Sequence, residues 1–79
     1  MTQEKLGFAW AAAVGPAIAR ATSVRWHDDG TVEVEAVDQA WVRELRRSLP
    51  EIALRLESLV GPGVVAGLRV AGPAEAGRR

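Results

Sequence analysis

Residues 23–37, SVRWHDDGTVEVEAV, decide the fold, because only one pairing of their two halves gathers the apolar side chains on one face. Apolar and polar residues alternate on either side of Asp28-Asp29-Gly30, which predicts two strands joined by a tight turn. A two-residue Asp29-Gly30 loop would set Trp26 against Glu33 and Val24 against Glu35. A three-residue loop of Asp28, Asp29 and Gly30 instead sets Trp26 against Val32 and Val24 against Val34, so one face becomes apolar. It also puts Gly30 at the left-handed position of such a loop. Arg25 then lies opposite Glu33, and His27 opposite Thr31, on the other face.

A sheet with one apolar face needs helices to cover it, and both flanks supply them. Downstream, residues 38–60 read DQAWVRELRRSLPEIALRLESLV. On a helix, Trp41, Leu45, Leu49, Ile52, Leu56 and Leu59 form one stripe at spacings of three and four. Asp38 is a good N-cap. Pro50 interrupts the pattern, and Ser48 to Glu51 has the form of a capping box, so a second helix can start there. The stripe keeps its phase across Pro50, which predicts a kink rather than a chain reversal. Gly61-Pro62-Gly63 ends the helix, and Val64 to Ala71 reads as a third strand with Ala66, Leu68 and Val70 inward and Arg69 outward. Upstream, Gln3 to Ala13 reads as a helix capped by Thr2, with Leu6, Trp10, Ala13, Val14 and Ala17 on one stripe. Gly15-Pro16 breaks it, and a last turn from Pro16 to Ala21 carries Ile18 to the core. The order helix, strand, strand, kinked helix, strand predicts a two-layer α+β domain over residues 1–72. Its three-stranded sheet carries helices on one face, and residues 73–79 form a frayed tail.

Composition narrows the function classes. A chain of 79 residues buries roughly 60% of its unfolded surface, so the core is thin. Its aromatic content is confined to Phe8, Trp10, Trp26 and Trp41, of which Trp10 and Trp26 are assigned to the core. Without cysteine there is neither a disulfide framework nor a thiolate metal site. Ten Lys and Arg balance ten Asp and Glu, so any attraction to nucleic acid must come from a local patch. The apolar run FAWAAAV is too short to span a bilayer and lacks the basic start of a secretory signal. A cytoplasmic protein without membrane contact is expected.

The sequence offers little catalytic chemistry. His27-Asp28-Asp29 has no second His or Cys to complete a metal site and reads as a polar hairpin tip. Gly61-Pro62-Gly63 is followed by a strand rather than by Lys-Ser/Thr and a helix, so it is not a phosphate loop. Ser23, Ser48 and Ser58 have no nucleophile-elbow context. No catalytic residue, metal ligand, cofactor or small-molecule substrate is expected, and the chain is read as a non-enzyme. Arg43, Arg46 and Arg47, at i, i+3 and i+4, put three guanidinium groups on one side of a helix, which suits phosphate or carboxylate. A solvated helix face has the same look. Trp41 is either core or an interface anchor. Together with Arg20, these residues are the candidate partner- or nucleic-acid-binding set.

Several motifs, taken in order, resemble a bacterial family. They are W…VG…IA (Trp10, Val14, Gly15, Ile18, Ala19), G-T-V-E-V (Gly30 to Val34), A-W-V-R-E-L (Ala40 to Leu45), L-P-E-I-A-L-R-L (Leu49 to Leu56) and G-P-G-V-V-x-x-L-R-V (Gly61 to Val70). The chain is similar to the DciA family over residues 6 to 71. That resemblance implies a KH-like domain that engages the replicative helicase DnaB and assists its loading onto single-stranded DNA, with Trp41 matching the family's Trp. The alternative is a small KH-like module that binds RNA or single-stranded nucleic acid without a helicase partner. Many members carry a long basic extension that this chain, ending at Arg79, does not show. A KH domain also clamps nucleotides with a GXXG loop, where this sequence has Ser48-Leu49-Pro50-Glu51.

Overall fold

The computed structural model of the chain describes residues 1–72, so the tail expected at 73–79 lies outside the described residues. Helix α1 (Gln3–Val14) is followed by the short α2 (Pro16–Arg20), the hairpin β1 (Thr22–Trp26) and β2 (Thr31–Ala36), the long α3 (Gln39–Val60) and β3 (Gly67–Ala71). The sheet order is β1-β2-β3, antiparallel between β1 and β2 and parallel between β2 and β3. A parallel partner cannot be reached by a tight turn, so α3 serves as the crossover. The architecture is therefore the expected α+β, and α1 and α3 cover the apolar face of the sheet.

The hairpin has the register that its hydrophobic pattern requires. Trp26 pairs with Val32, Val24 with Val34 and Arg25 with Glu33. The loop closes through His27 N–H to the Thr31 carbonyl at 3.0 Å and Gly30 N–H to the His27 carbonyl at 2.9 Å. Gly30 has φ of +90°, a conformation that side chains with a Cβ rarely adopt. Its carbonyl accepts from Ala66 N–H at 2.7 Å, which fastens the approach to β3 against the turn. A Cβ there would press on Ala66 at 3.1 Å, so glycine is required twice over.

Leu6, Trp10, Val32, Val34, Ala36, Val42, Leu45, Ile52 and Val70 make the core. Trp10 is only 3% exposed, and its indole N–H donates to Thr22 Oγ1 at 2.9 Å. The Thr22 hydroxyl donates onward to the Ile18 carbonyl at 2.8 Å, so the one polar atom of this large side chain is satisfied inside. Thr2 and Asp38 cap α1 and α3 by accepting from the backbone of Lys5 and Trp41. At Gly15, φ of +88° turns the chain between the first two helices, and Pro16 starts α2 where a missing N–H costs nothing.

Four expectations need correction. Helix α3 runs unbroken through Pro50, so the capping-box sequence at Ser48 starts no second helix. Of the proposed α3 stripe, Leu45, Ile52 and Leu56 are buried, but Leu59 is 53% exposed and Trp41 only half-buried, while Val42 is fully inside. Trp41 and Leu59 stand about five turns apart at the same azimuth, on the margin of a stripe centred between Leu45 and Leu56. The helix is also about 33 Å long against roughly 17 Å for a five-residue strand, so its last turn overhangs the sheet. Ala17 faces solvent, and Phe8 is 75% exposed on the outer side of α1. Ala66 is exposed and precedes β3, because the Gly61 to Val64 segment is taken up by turns.

Leu45→Ala and Leu59→Ala separate the buried stripe from its margin. In urea unfolding, Leu45→Ala should lose about 2–5 kcal/mol through lost burial and the cavity left behind. Leu59→Ala should stay within about 1 kcal/mol of the parent, because its side chain is already half in water.

Candidate functional site

Helix geometry sorts the candidate residues into two sides. At about 100° per residue, Arg43, Arg46 and Arg47 share one sector of α3, and Trp41 lies on the opposite side. Trp41 packs half-buried against the core, whereas the three arginines are exposed. Arg43 makes no ion pair among the described residues. Arg47 reaches Glu44 at 3.4 Å, an exposed pair that solvent screens. Arg46 reaches across to β3, where its guanidinium donates to the Val70 carbonyl at 3.4 Å. Arg20 ends α2, which packs on α1 and β1, while α3 packs on α1, β2 and β3. Arg20 therefore approaches the same end of the sheet from its other edge.

Towards its C-terminal end, the arginine-bearing side of α3 turns apolar. Pro50, Ala53, Leu54 and Glu57 face Val65 to Leu68 across an open groove of about 260 Å³. Leu54 is 68% exposed, which leaves a leucine in water beside an edge strand. Leu54 lies off the buried stripe, so helical periodicity does not single it out. An apolar residue on the charged side of an amphipathic helix was the available signal. Phe8, Leu59 and Val60 line a second open hollow, about 470 Å³, between α1 and the end of α3.

The outer face of the sheet carries alternating charge. Arg25 pairs with Glu33, and Glu33 with Arg69, in one row across the three strands. Glu33 Oε1 lies 2.8 Å from His27 Nε2 and 3.6 Å from Arg69. The hydrogen bond with His27 holds the Glu33 carboxyl below its ordinary range; burial opposes this, and the charges of Arg69, His27 and Arg25 add to the lowering. Asp29 is lowered too, chiefly by the Thr31 backbone N–H that it accepts at 2.9 Å within the turn. The polar groups of the hairpin tip are thus engaged with one another. Among the described residues, no three His, Cys, Asp or Glu side chains gather as a metal site. No helix there is long and apolar enough to cross a membrane.

A family model described as "Dna[CI] antecedent, DciA" matches residues 1–70. The chain belongs to the DciA family. Its relatives include a UPF0232 protein of Mycolicibacterium paratuberculosis, 35% identical over 65 residues, which are 82% of this chain and 36% of that protein. A UPF0232 protein of Rhodococcus jostii is 36% identical over 64 residues, 81% of this chain and 34% of its own length. One from Mycolicibacterium smegmatis is 34% identical over 65 residues, 82% and 34% of the two chains. The chain spans about a third of the length of the curated family members it matches. The match reaches every element of the fold, ending one residue short of the end of β3, and includes the Arg43 to Arg47 turn and the groove beside β3.

The lowered carboxyl of Glu33 fixes a sign. A group whose acidity is increased by folding stabilises the folded state above its unfolded value, and that contribution fades as pH falls through the folded value. Wild type should therefore exceed Glu33→Gln in melting temperature near pH 6, and the gap should close towards pH 3. A gap that stays constant across this range would show that the Glu33 charge does not contribute.

Proposed function

We propose that this domain is a non-enzymatic adaptor of DNA replication that binds the replicative helicase DnaB and assists its placement on single-stranded DNA. It acts in the bacterial cytoplasm without cofactor or small-molecule substrate. The observation that carries the reading is the family match over residues 1–70, together with the family's description as an antecedent of Dna[CI]. The exposed arginines of α3 support a contact with carboxylate or phosphate, since guanidinium forks bind both. Trp41, half-buried at the start of the same helix, positions that first turn and offers its outer edge to a partner. The chain spans about a third of the length of the relatives it matches, so the proposal concerns this domain alone.

The nucleotide-clamping alternative is weaker. A KH domain holds nucleic acid in a GXXG loop between helices, and here α3 is continuous through Ser48 to Glu51. DNA contact by this domain is accordingly assigned to side-chain charge and should weaken steeply with salt.

The test is capture of the host's replicative helicase by the immobilised, folded domain. Stoichiometric capture is expected, and Arg43→Glu with Arg47→Glu should weaken it at least tenfold without changing the melting curve. Arg46 is left in place because it also bonds the Val70 carbonyl. No capture by folded domain would overturn the reading. Capture unaffected by the double reversal would remove the arginines from it.

A further inference from the structure

The two edges of the sheet are finished differently. Along β1, the outward backbone groups of Val24 and Trp26 are taken by one side chain: Gln3 donates to the Val24 carbonyl at 2.6 Å and accepts from Trp26 N–H at 3.1 Å. That amide imitates a neighbouring strand and closes the edge. On the other side, the parallel register of Val32 with Leu68 and Val34 with Val70 turns the backbone groups of Gly67, Arg69 and Ala71 towards β2. Those of Leu68 and Val70 therefore face outward. The Arg46 guanidinium takes the Val70 carbonyl. Among the described residues, the N–H and carbonyl of Leu68 have no such seal. The groove formed by Pro50, Ala53 and Leu54 opens directly beside them.

We propose that this edge and groove dock an extended segment of a partner protein, added as a fourth strand with the pattern apolar–acidic–apolar. Another extended backbone offers a donor and an acceptor at the spacing of Leu68. Side chains alternate between faces, so the residue paired with Leu68 would drop into the groove against Leu54 and Ala53, and the one beside Val70 would lie along the Arg46 stem. The central one would emerge beside Arg69 on the outer face. There the row Arg25–Glu33–Arg69 already alternates in sign, and a carboxylate continues it. Arg43, Arg46 and Arg47 line the same side of α3 and favour an acidic segment further. A second copy of β3 fits less well. Antiparallel pairing through Leu68 sets either Arg69 against Arg69 or Arg69 against Gly67, and neither supplies an acid. The proposal goes beyond the helicase reading and stands whether or not helicase capture succeeds.

The test is an NMR titration of the whole isotope-labelled chain with the blocked pentapeptide Thr-Val-Glu-Val-Thr. The amides of Leu68 and Val70 should shift most and become slower to exchange with solvent. Replacing the peptide's Glu by Lys, or N-methylating the valine that pairs with Leu68, should weaken binding at least fivefold. Leu54→Glu, at a site 68% exposed and so tolerated by the fold, should do the same. Four results would overturn the proposal. The Leu68 amide could already be protected in the free chain, or the chain could double its mass in light scattering through this edge. The N-methylated peptide could bind equally well. A twelve-nucleotide single strand could shift the same amides while the peptide does not.

Discussion

The register of one hairpin governs the rest of this domain. With Asp28, Asp29 and Gly30 as the loop, Val24, Trp26, Val32 and Val34 share a face, and Arg25, His27 and Glu33 share the other. Slipping the pairing by one residue would put glutamates under the helices, where unpaired charges cannot be held. Once the register is set, α1 and α3 have one surface to cover. The parallel strand β3 then has one place to join, beside β2 with Leu68 and Val70 inward. The charged row on the outer face is the other half of the same constraint: it exists because the apolar half faces in.

The hairpin was legible in the sequence because its two possible loops have opposite consequences for burial. The element order, both helix caps and the Gly15-Pro16 break were legible for similar local reasons, since each rests on residues within four positions of one another. The depth of individual α3 residues was not. A periodicity of three and four admits several neighbouring stripes, and choosing between one through Trp41 and one through Val42 depends on how the helix is rolled on the sheet. Leu59 shares the azimuth of Trp41, so one misjudged angle moves both. Pro50 also looked like a boundary from sequence alone. Its lost N–H is tolerated because packing of Leu45, Ile52 and Leu56 on either side holds the helix together.

The candidate site was legible in part. Spacing placed the three α3 arginines together, and they do occupy one side of that helix. What spacing cannot convey is what stands next to that side in space. Arg46 meets the Val70 carbonyl, 24 residues further along the chain. Leu54 faces a groove whose other wall belongs to the segment before β3. Both contacts depend on the crossover path of α3, which no local window contains. The domain is a small scaffold that presents a helix side and a strand edge together.

The Gln3 contacts with Val24 and Trp26 have a consequence for handling and evolution of the domain. Among the described residues, the guard on the antiparallel β1 edge is borne by Gln3, in the first turn of the first helix. A proteolytic nick, a trimmed expression product or a fusion that prevents Thr2 from capping would unravel that turn and bare the backbone of β1. A domain still folded in its core would then carry two strand edges able to recruit other chains. Aggregation would begin from the N-terminus, before any loss of the hydrophobic core.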